Sequence, residues 1–346
     1  MARRERPAGE PAGAPRQLTR RAFLTRALGA AGVTSAAAYA AYAPEDWPGA
    51  ARDADGLRSV PAVKPFRLTD FRVAKPVGAP DVAVGHGGDA MTRLRKALDA
   101  LGGLAHYVSP GDIVLLKPNV AFDRAPVLAA TTNPEILAAL IRLILVDCRA
   151  QEVRVADNPI ESPADCFAKS GIAAAVASAG GRVYLPDANA FRILNTPDSR
   201  LIENWQFFHR PLTNANKVIG VAPVKDHNLC LASMGMKNWY GLLGGRRNQF
   251  HQDIHELVSD LSLMIRPTLT ILDGTYVLMR NGPTGGDPAD VRPGDAVVAA
   301  VDPVAADAWA YRHLLSRTTE LPRYLLLAEE KGTGSASTEG RVREIA

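Results

Sequence analysis

From Phe66 onward, short apolar runs alternate with longer stretches of helical, amphipathic spacing, and this alternation restricts the fold more than any other feature of the chain. A Val-, Ile- and Leu-rich run bounded by turn formers suits a strand buried on both faces; repeated with helices between, it builds βαβ units. Strands are expected at Val82–Gly85, Ile113–Leu116, Val153–Ala156, Val183–Leu185, Lys217–Ala222, Leu269–Leu272 and Ala296–Val301. Helices are expected over Ala90–Leu101, Pro134–Cys148, Ala164–Ala179 and Val304–Leu315, the second with Asn133 as N-cap and Pro134 in its first turn. The expected class is therefore α/β: a mostly parallel sheet with helices on both faces, in one large domain over 66–330 that two lobes would also accommodate. The Pro-, Gly-, Asp- and Ala-rich stretch 44–65 reads as a linker, and the Gly-, Ser- and Thr-rich stretch 331–346 as a disordered tail.

Residues 1–43 carry a different signal. Thr19-Arg20-Arg21-Ala22-Phe23-Leu24 precedes an Ala- and Gly-rich run that is free of charge after Arg26, the layout of a twin-arginine signal peptide. A basic tail before an ordinary amphipathic helix is the alternative, and the order of residues fits it less well. The expectation is export by the twin-arginine translocase to a periplasmic or other extracytoplasmic location, with membrane association if the leader is retained. The run itself is too short and Ala-rich for a good permanent span. The leader holds seven arginines against Glu5 and Glu10, and the remainder keeps 33 basic and 34 acidic residues. The formal charge of +4 for the whole chain thus belongs to the leader, and no nucleic-acid partner is expected. Cys148, Cys166 and Cys230 show no Cys-x-x-Cys spacing, so buried free thiols are expected, with no iron–sulfur cluster ligated by these cysteines.

Ligands of open α/β sheets sit beyond the carboxyl ends of strands, where loops and helix N-termini converge. Five expected strands here lead into polar residues: Lys117-Pro118-Asn119, Asp157-Asn158, Lys225-Asp226-His227, Asp273-Gly274 and Asp302-Pro303. Asp, Asn, Pro and Gly are ordinary turn formers, but a turn does not require lysine or histidine. Lys237-Asn238 follows within an apolar stretch. A lysine there costs desolvation energy unless an anion or carboxylate answers it, and burial lowers its pKa toward acid/base or imine chemistry. Lys225, His227 and Lys237 are therefore the candidate catalytic residues, internal salt bridges to Asp157 or Asp273 being the alternative.

Lys117, Asn119, Asn238 and Arg246 are the candidate ligand-binding residues. Arg246-Arg247 beside Gly244-Gly245 fits either an anion site or a solvated turn. Asp157, His251 and Asp273 are the candidates for a divalent metal; His251 and His255 have i,i+4 spacing but lack the His-Glu-x-x-His order of zinc proteases. Absence of a Gly-x-Ser-x-Gly elbow, a Walker loop and a Gly-x-Gly-x-x-Gly fingerprint weakens the serine hydrolase, P-loop and dinucleotide-binding readings.

Taken together, Gly111–Asn119, Thr131-Thr132-Asn133-Pro134, Lys225-Asp226-His227, Met236-Lys237-Asn238 with Gly241, His251, Asp273-Gly274 with Gly282-Pro283, and Asp302-Pro303-Val304-Ala305 with Asp307 resemble the family catalogued as domain of unknown function 362, over roughly residues 80–316. The resemblance implies no assigned activity. Many relatives append a ferredoxin-like module, which implies a redox setting and an envelope redox partner; no such module is present here, so cluster binding does not carry over. A looser similarity of the Lys-Pro-Asn region to lactate racemases implies, by fold analogy, chemistry on a small hydroxy or keto acid. Two functional expectations follow. One is an exported enzyme, oxidoreductase or isomerase in class, acting on a small anionic or metal-bound ligand. The other is a non-catalytic cofactor- or metal-carrying or assembly protein for an envelope redox enzyme or membrane complex.

Overall fold

Successive side chains of a strand point to opposite faces, and in the central strands both faces are apolar. In β2 (Ile113–Pro118), Val114 and Leu116 enter one core while Leu115 enters the other. In β7 (Lys217–His227), Ile219 and Val221 are divided from Val218, Ala222 and Val224 in the same way. The computed structural model describes residues 64–346, so the stretch expected to be a twin-arginine leader, with Arg20 and Arg21, and nearly all of the expected linker lie outside the described residues.

One sheet runs in the order β11 (Val342–Ile345), β1 (Val82–His86), β10 (Val291–Ala300), β9 (Leu269–Leu278), β7, β2, β3 (Glu152–Ala156), β4 (Arg182–Tyr184), with β8 (Leu231–Ser233) folded back on the end of β7. The succession from β9 to β4 is parallel throughout, β11 is parallel to β1, and β10 runs antiparallel to both its neighbours. One face is covered by α1 (Ala90–Ala100), α2 (Pro134–Arg142), α3 (Pro163–Lys169) and α4 (Ile172–Ser178). The other carries α5 (Gly235–Asn238), α6 (Ile254–Met264), α7 (Pro303–His313) and α8 (Arg323–Glu330). The fold is thus α/β, with a mixed, mostly parallel sheet between two helical layers. Asn133 caps α2 as expected, its side chain accepting from the Glu135 N–H at 2.9 Å. The three cysteines are free and buried.

Four differences from the expected elements have local causes. The helix expected over Ala164–Ala179 is two helices, because Gly171 takes φ +73° and ends the first. The tail is not disordered: Val342–Ile345 pair with the edge of β1, and Arg341 binds Asp81 at 2.8 Å and Asp302 at 2.7 Å. A separate hairpin, β5 (Phe191–Asn195) with β6 (Asn204–Phe208), joins Phe66 through a bridge to Leu194. Finally, β10 reverses direction, which carries Asp302 to the opposite end of the sheet from Lys117 and His227. There Asp302 caps α7, accepting from the Val304 and Ala305 N–H groups at 2.9 and 3.1 Å. The polar turn after β10 is therefore no part of the site.

Candidate functional site

Strands β3, β2 and β7 lie side by side and parallel, so the residues at their carboxyl ends meet. Lys117 is the penultimate residue of β2, Asp157 directly follows β3, and Lys225 and His227 sit on the last stretch of β7, past a register shift at Pro223/Lys225 against β9. The loop after β2 is tied down where the Asn119 N–H donates to Thr132 Oγ1 at 2.8 Å and that hydroxyl donates to the Val221 carbonyl at 2.7 Å. Lys237 and Asn238 are presented by α5, whose first N–H groups, of Gly235 and Met236, donate to the fully buried Asp307 carboxylate at 2.8 and 3.1 Å. Lys117, Asn119, Asp157, Lys225, His227, Lys237 and Asn238, with Phe122, Tyr240, Arg247 and His251, line a cavity of about 50 Å³.

The three lysines are answered to different degrees. An ammonium has three donors. Lys117 uses all of them, on Asp157 Oδ1, Asn238 Oδ1 and the Pro118 carbonyl, each at 2.8 Å. Burial lowers its pKa to about 8 against the opposing pull of Asp157. Lys225 uses two, on the Ala130 carbonyl at 2.6 Å and Asn119 Oδ1 at 3.1 Å, with its Nζ 5.3 Å from the Phe122 ring centre. Burial first, then the Lys237 charge, pushes it well below the ordinary lysine range. Lys237, only 9% exposed, has no hydrogen bond or ion pair among the described residues; its Nζ lies 5.3 Å from the Tyr240 ring centre. Burial lowers its pKa as well.

His227 Nδ1 accepts the N–H groups of Leu229 and Cys230 at 3.1 and 3.4 Å, so the ring proton sits on Nε2. Burial, then Lys237 and Lys225, lower its pKa to about 2, and the ring is neutral at working pH. Arg247 supplies charge and braces the wall: its guanidinium donates to the carbonyls of Tyr240, Leu243, Asn158 and Pro159 at 2.6–3.1 Å. Gly241 leaves room for all of this, since a Cβ there would collide with Asp157 Oδ1 and stand 2.6 Å from Lys117 Nζ.

The structure brings Lys117, Asn119, Lys225, His227, Lys237 and Asn238 together on one cavity. The salt-bridge alternative offered for Lys225, His227 and Lys237 is not met, since none of the three pairs with Asp157 or Asp273 among the described residues; Asp157 is instead paired with Lys117. Arg246 is exposed, and its neighbour Arg247 occupies the buried position; the Arg-Arg pair marked the place but not the phase. The suggested metal set is not assembled. Asp157 accepts from Lys117 and from the N–H groups of Val120 and Asn158 at 2.6 and 3.0 Å. His251 lines the cavity, but its Nδ1 faces the Asn248 carbonyl at 3.0 Å. Asp273 opens on a different cavity and holds the N–H groups of Asn133 and Thr275 at 2.8 and 3.1 Å; burial raises its pKa. His255 stacks on Tyr324, with ring centres 6.1 Å apart, away from His251's wall. Among the described residues no group of three or more His, Cys, Asp or Glu is placed to hold a metal ion.

Tyr240, Phe122 and Asp307 were not among the expected site residues. Asp307 acts through α5; it stood among the residues that carry the family resemblance, but nothing local marked it as supporting the site.

Comparison with known proteins gives a match of residues 114–312, more than half of the chain, to the family model described as Domain of unknown function (DUF362). A thylakoid-associated protein of Synechocystis sp. is 30% identical over 217 residues, 59% of this chain and 64% of the relative. The chain thus spans just under two thirds of that relative's length. Among solved structures, the lactate racemase apoprotein of Thermoanaerobacterium thermosaccharolyticum gives a TM-score of 0.33 at 14% identity, covering 61% of this chain and 55% of that one. A structural-genomics protein of Thermotoga maritima gives 0.35 at 11% identity, covering 71% and 60%. At these scores neither likeness bears on chemistry. No helix of the described residues is long and apolar enough to cross a membrane.

Proposed function

The chain belongs to the domain of unknown function 362 family, and from that premise we propose that it is an exported enzyme that binds a small anionic molecule in the cavity beyond β2, β3 and β7. One observation carries the reading: Lys117, Lys225, Lys237 and Arg247 surround the cavity, with Asp157 the one carboxylate among its lining residues. Burying like charges together is costly, and an anion entering the space removes part of that cost. A structural role would instead favour apolar or paired side chains at these positions.

In this reading Lys117 is a fixed element, held in place with Asp157 and Asn238. An anion in the cavity favours the ammonium form of Lys225, whose third N–H then joins the Nε2–H of neutral His227 as a donor to it, and Lys237, with its pKa lowered, gives or takes a proton. The size of the cavity restricts the ligand. A water-sized group needs about 10–15 Å³ of such space, so only a small molecule, a few times the size of water, fits.

Isothermal titration with acetate, lactate, pyruvate and inorganic phosphate tests the proposal. At least one of these is expected to bind and to raise the melting temperature, by mass action on the folded state. Lys225→Met and Lys237→Met are each expected to weaken that binding tenfold or more. Failure of every anion to bind or to shift the melt would sink the reading.

A further inference from the structure

We propose that Lys237 is an imine-forming nucleophile and that the ligand class is a short 2-oxo acid, a carboxylate with a carbonyl beside it. The inference rests on the anion-binding reading above and specifies its substrate.

The three cavity lysines differ in what their nitrogens are free to do. A lysine attacks a carbonyl only through a lone pair, which requires loss of a proton and freedom from acceptors that hold the ammonium in place. Lys117 gives its three donors to Asp157, Asn238 and Pro118, and the carboxylate among them favours the charged form. Lys225 is held by the Ala130 carbonyl and Asn119 Oδ1, and keeps one N–H to offer. Lys237, 9% exposed, has neither a carboxylate nor a carbonyl to hold it among the described residues, and its Nζ lies 5.3 Å from the Tyr240 ring centre. The neighbouring Arg247 guanidinium disfavours a further positive charge in the same space. Lys237 is thus the cavity lysine whose nitrogen, once it has lost a proton, has a lone pair that no protein group holds in place.

The remaining groups suit the other end of such a ligand. The free N–H of Lys225 and the Nε2–H of His227 are donors on the cavity wall, able to hold a carboxylate and a developing alkoxide. Lys237 Nζ adds to the carbonyl carbon, forming the C–N bond and a carbinolamine; the former carbonyl oxygen then leaves as water, carrying the two amine hydrogens. The imine nitrogen takes one proton from solvent to become the iminium, which acidifies the C–H next to it. No oxidant or reductant enters, and hydrolysis reverses the sequence.

The test is reductive trapping on the purified full-length protein. Pyruvate is added, followed by sodium borohydride, and the intact mass and peptide map are read; acetate and lactate, which lack the carbonyl, are the controls. The expected result is a single adduct on Lys237, heavier by pyruvate less one oxygen atom, present with pyruvate and absent with both controls. In deuterium oxide the methyl protons of pyruvate are expected to exchange at least tenfold faster with protein than without. Lys237→Arg, which keeps the charge, and Lys237→Met are both expected to abolish adduct and exchange while melting cooperatively. Pyruvate that binds by titration with no adduct, or with an adduct on another lysine, overturns the imine and leaves the anion site standing. Absence of pyruvate binding and adduct overturns the 2-oxo acid and its imine, and the anion site falls with them if acetate, lactate and phosphate fail to bind as well.

Discussion

A buried ammonium is stable only where something answers its charge, and at the residue scale this cavity is a graded series of answers, complete for Lys117, partial for Lys225 and missing for Lys237. His227 belongs to the same series from the other side. Its pKa falls from 6.5 to about 2 on folding, so the unfolded chain takes up a proton that the folded one refuses. The stability it contributes is complete above about pH 6.5 and is lost as the pH falls toward 2. His227→Asn offers an amide oxygen to the Leu229 and Cys230 N–H groups but does not titrate. Thermal melts followed by circular dichroism between pH 6.5 and 4 should show a shallower decline for the variant than for the parent; equal slopes would contradict this account. Most of these residues were legible in the sequence, because a lysine or histidine directly after an apolar run has no turn-forming reason to be there. Arg247 was legible only as half of a pair, since which arginine turns inward depends on the Gly244-Gly245 bend. The metal candidates misled because carboxylates serve equally as acceptors for backbone N–H groups, the use made of both Asp157 and Asp273.

At the scale of elements, the strands were readable wherever apolar runs stood between turn formers, and their direction was readable only where a helix intervened. Between Leu278 and Val291 there is no crossover helix, which is the physical reason β10 returns antiparallel. The break at Gly171 and the short strand β8 depend on backbone conformation and on pairing partners, to which side-chain periodicity is blind. The same holds for β11, which is four residues long and has little pattern of its own. Its attachment is a tertiary matter: the open edge of β1 supplies hydrogen-bonding groups, and Arg341 spans Asp81 and Asp302. Arg341→Met keeps the stem and removes the two ion pairs, which are partly exposed. The expected cost is about 1 kcal/mol, a fall in Tm of about 2–4 °C, with faster amide hydrogen exchange confined to β11 and β1. Unchanged exchange there would mean that backbone pairing alone holds the strand.

For the whole molecule, the outstanding expectation concerns address. The paired arginines of the leader are proposed to direct the chain through the twin-arginine route, and a substitution that conserves charge separates that address from mere basicity. Arg20→Lys with Arg21→Lys in the full chain should leave the protein in the cytoplasmic fraction of a producing cell, while the unaltered chain reaches the periplasm; an unchanged distribution of the variant would refute the route. Outside the leader the chain is nearly neutral, with 33 basic and 34 acidic residues, so the positive character of the cavity is a local arrangement of side chains and not a property of the composition.

The reversal of β10 also has a practical side. It sends the Asp302 turn to the rim of the sheet opposite the cavity. The molecule therefore has a working rim and a plain one, and a surface anchor or a reporter dye attached on the plain side would leave the mouth of the cavity open to solution. Immobilised in that orientation, the protein could be screened against small acids one after another.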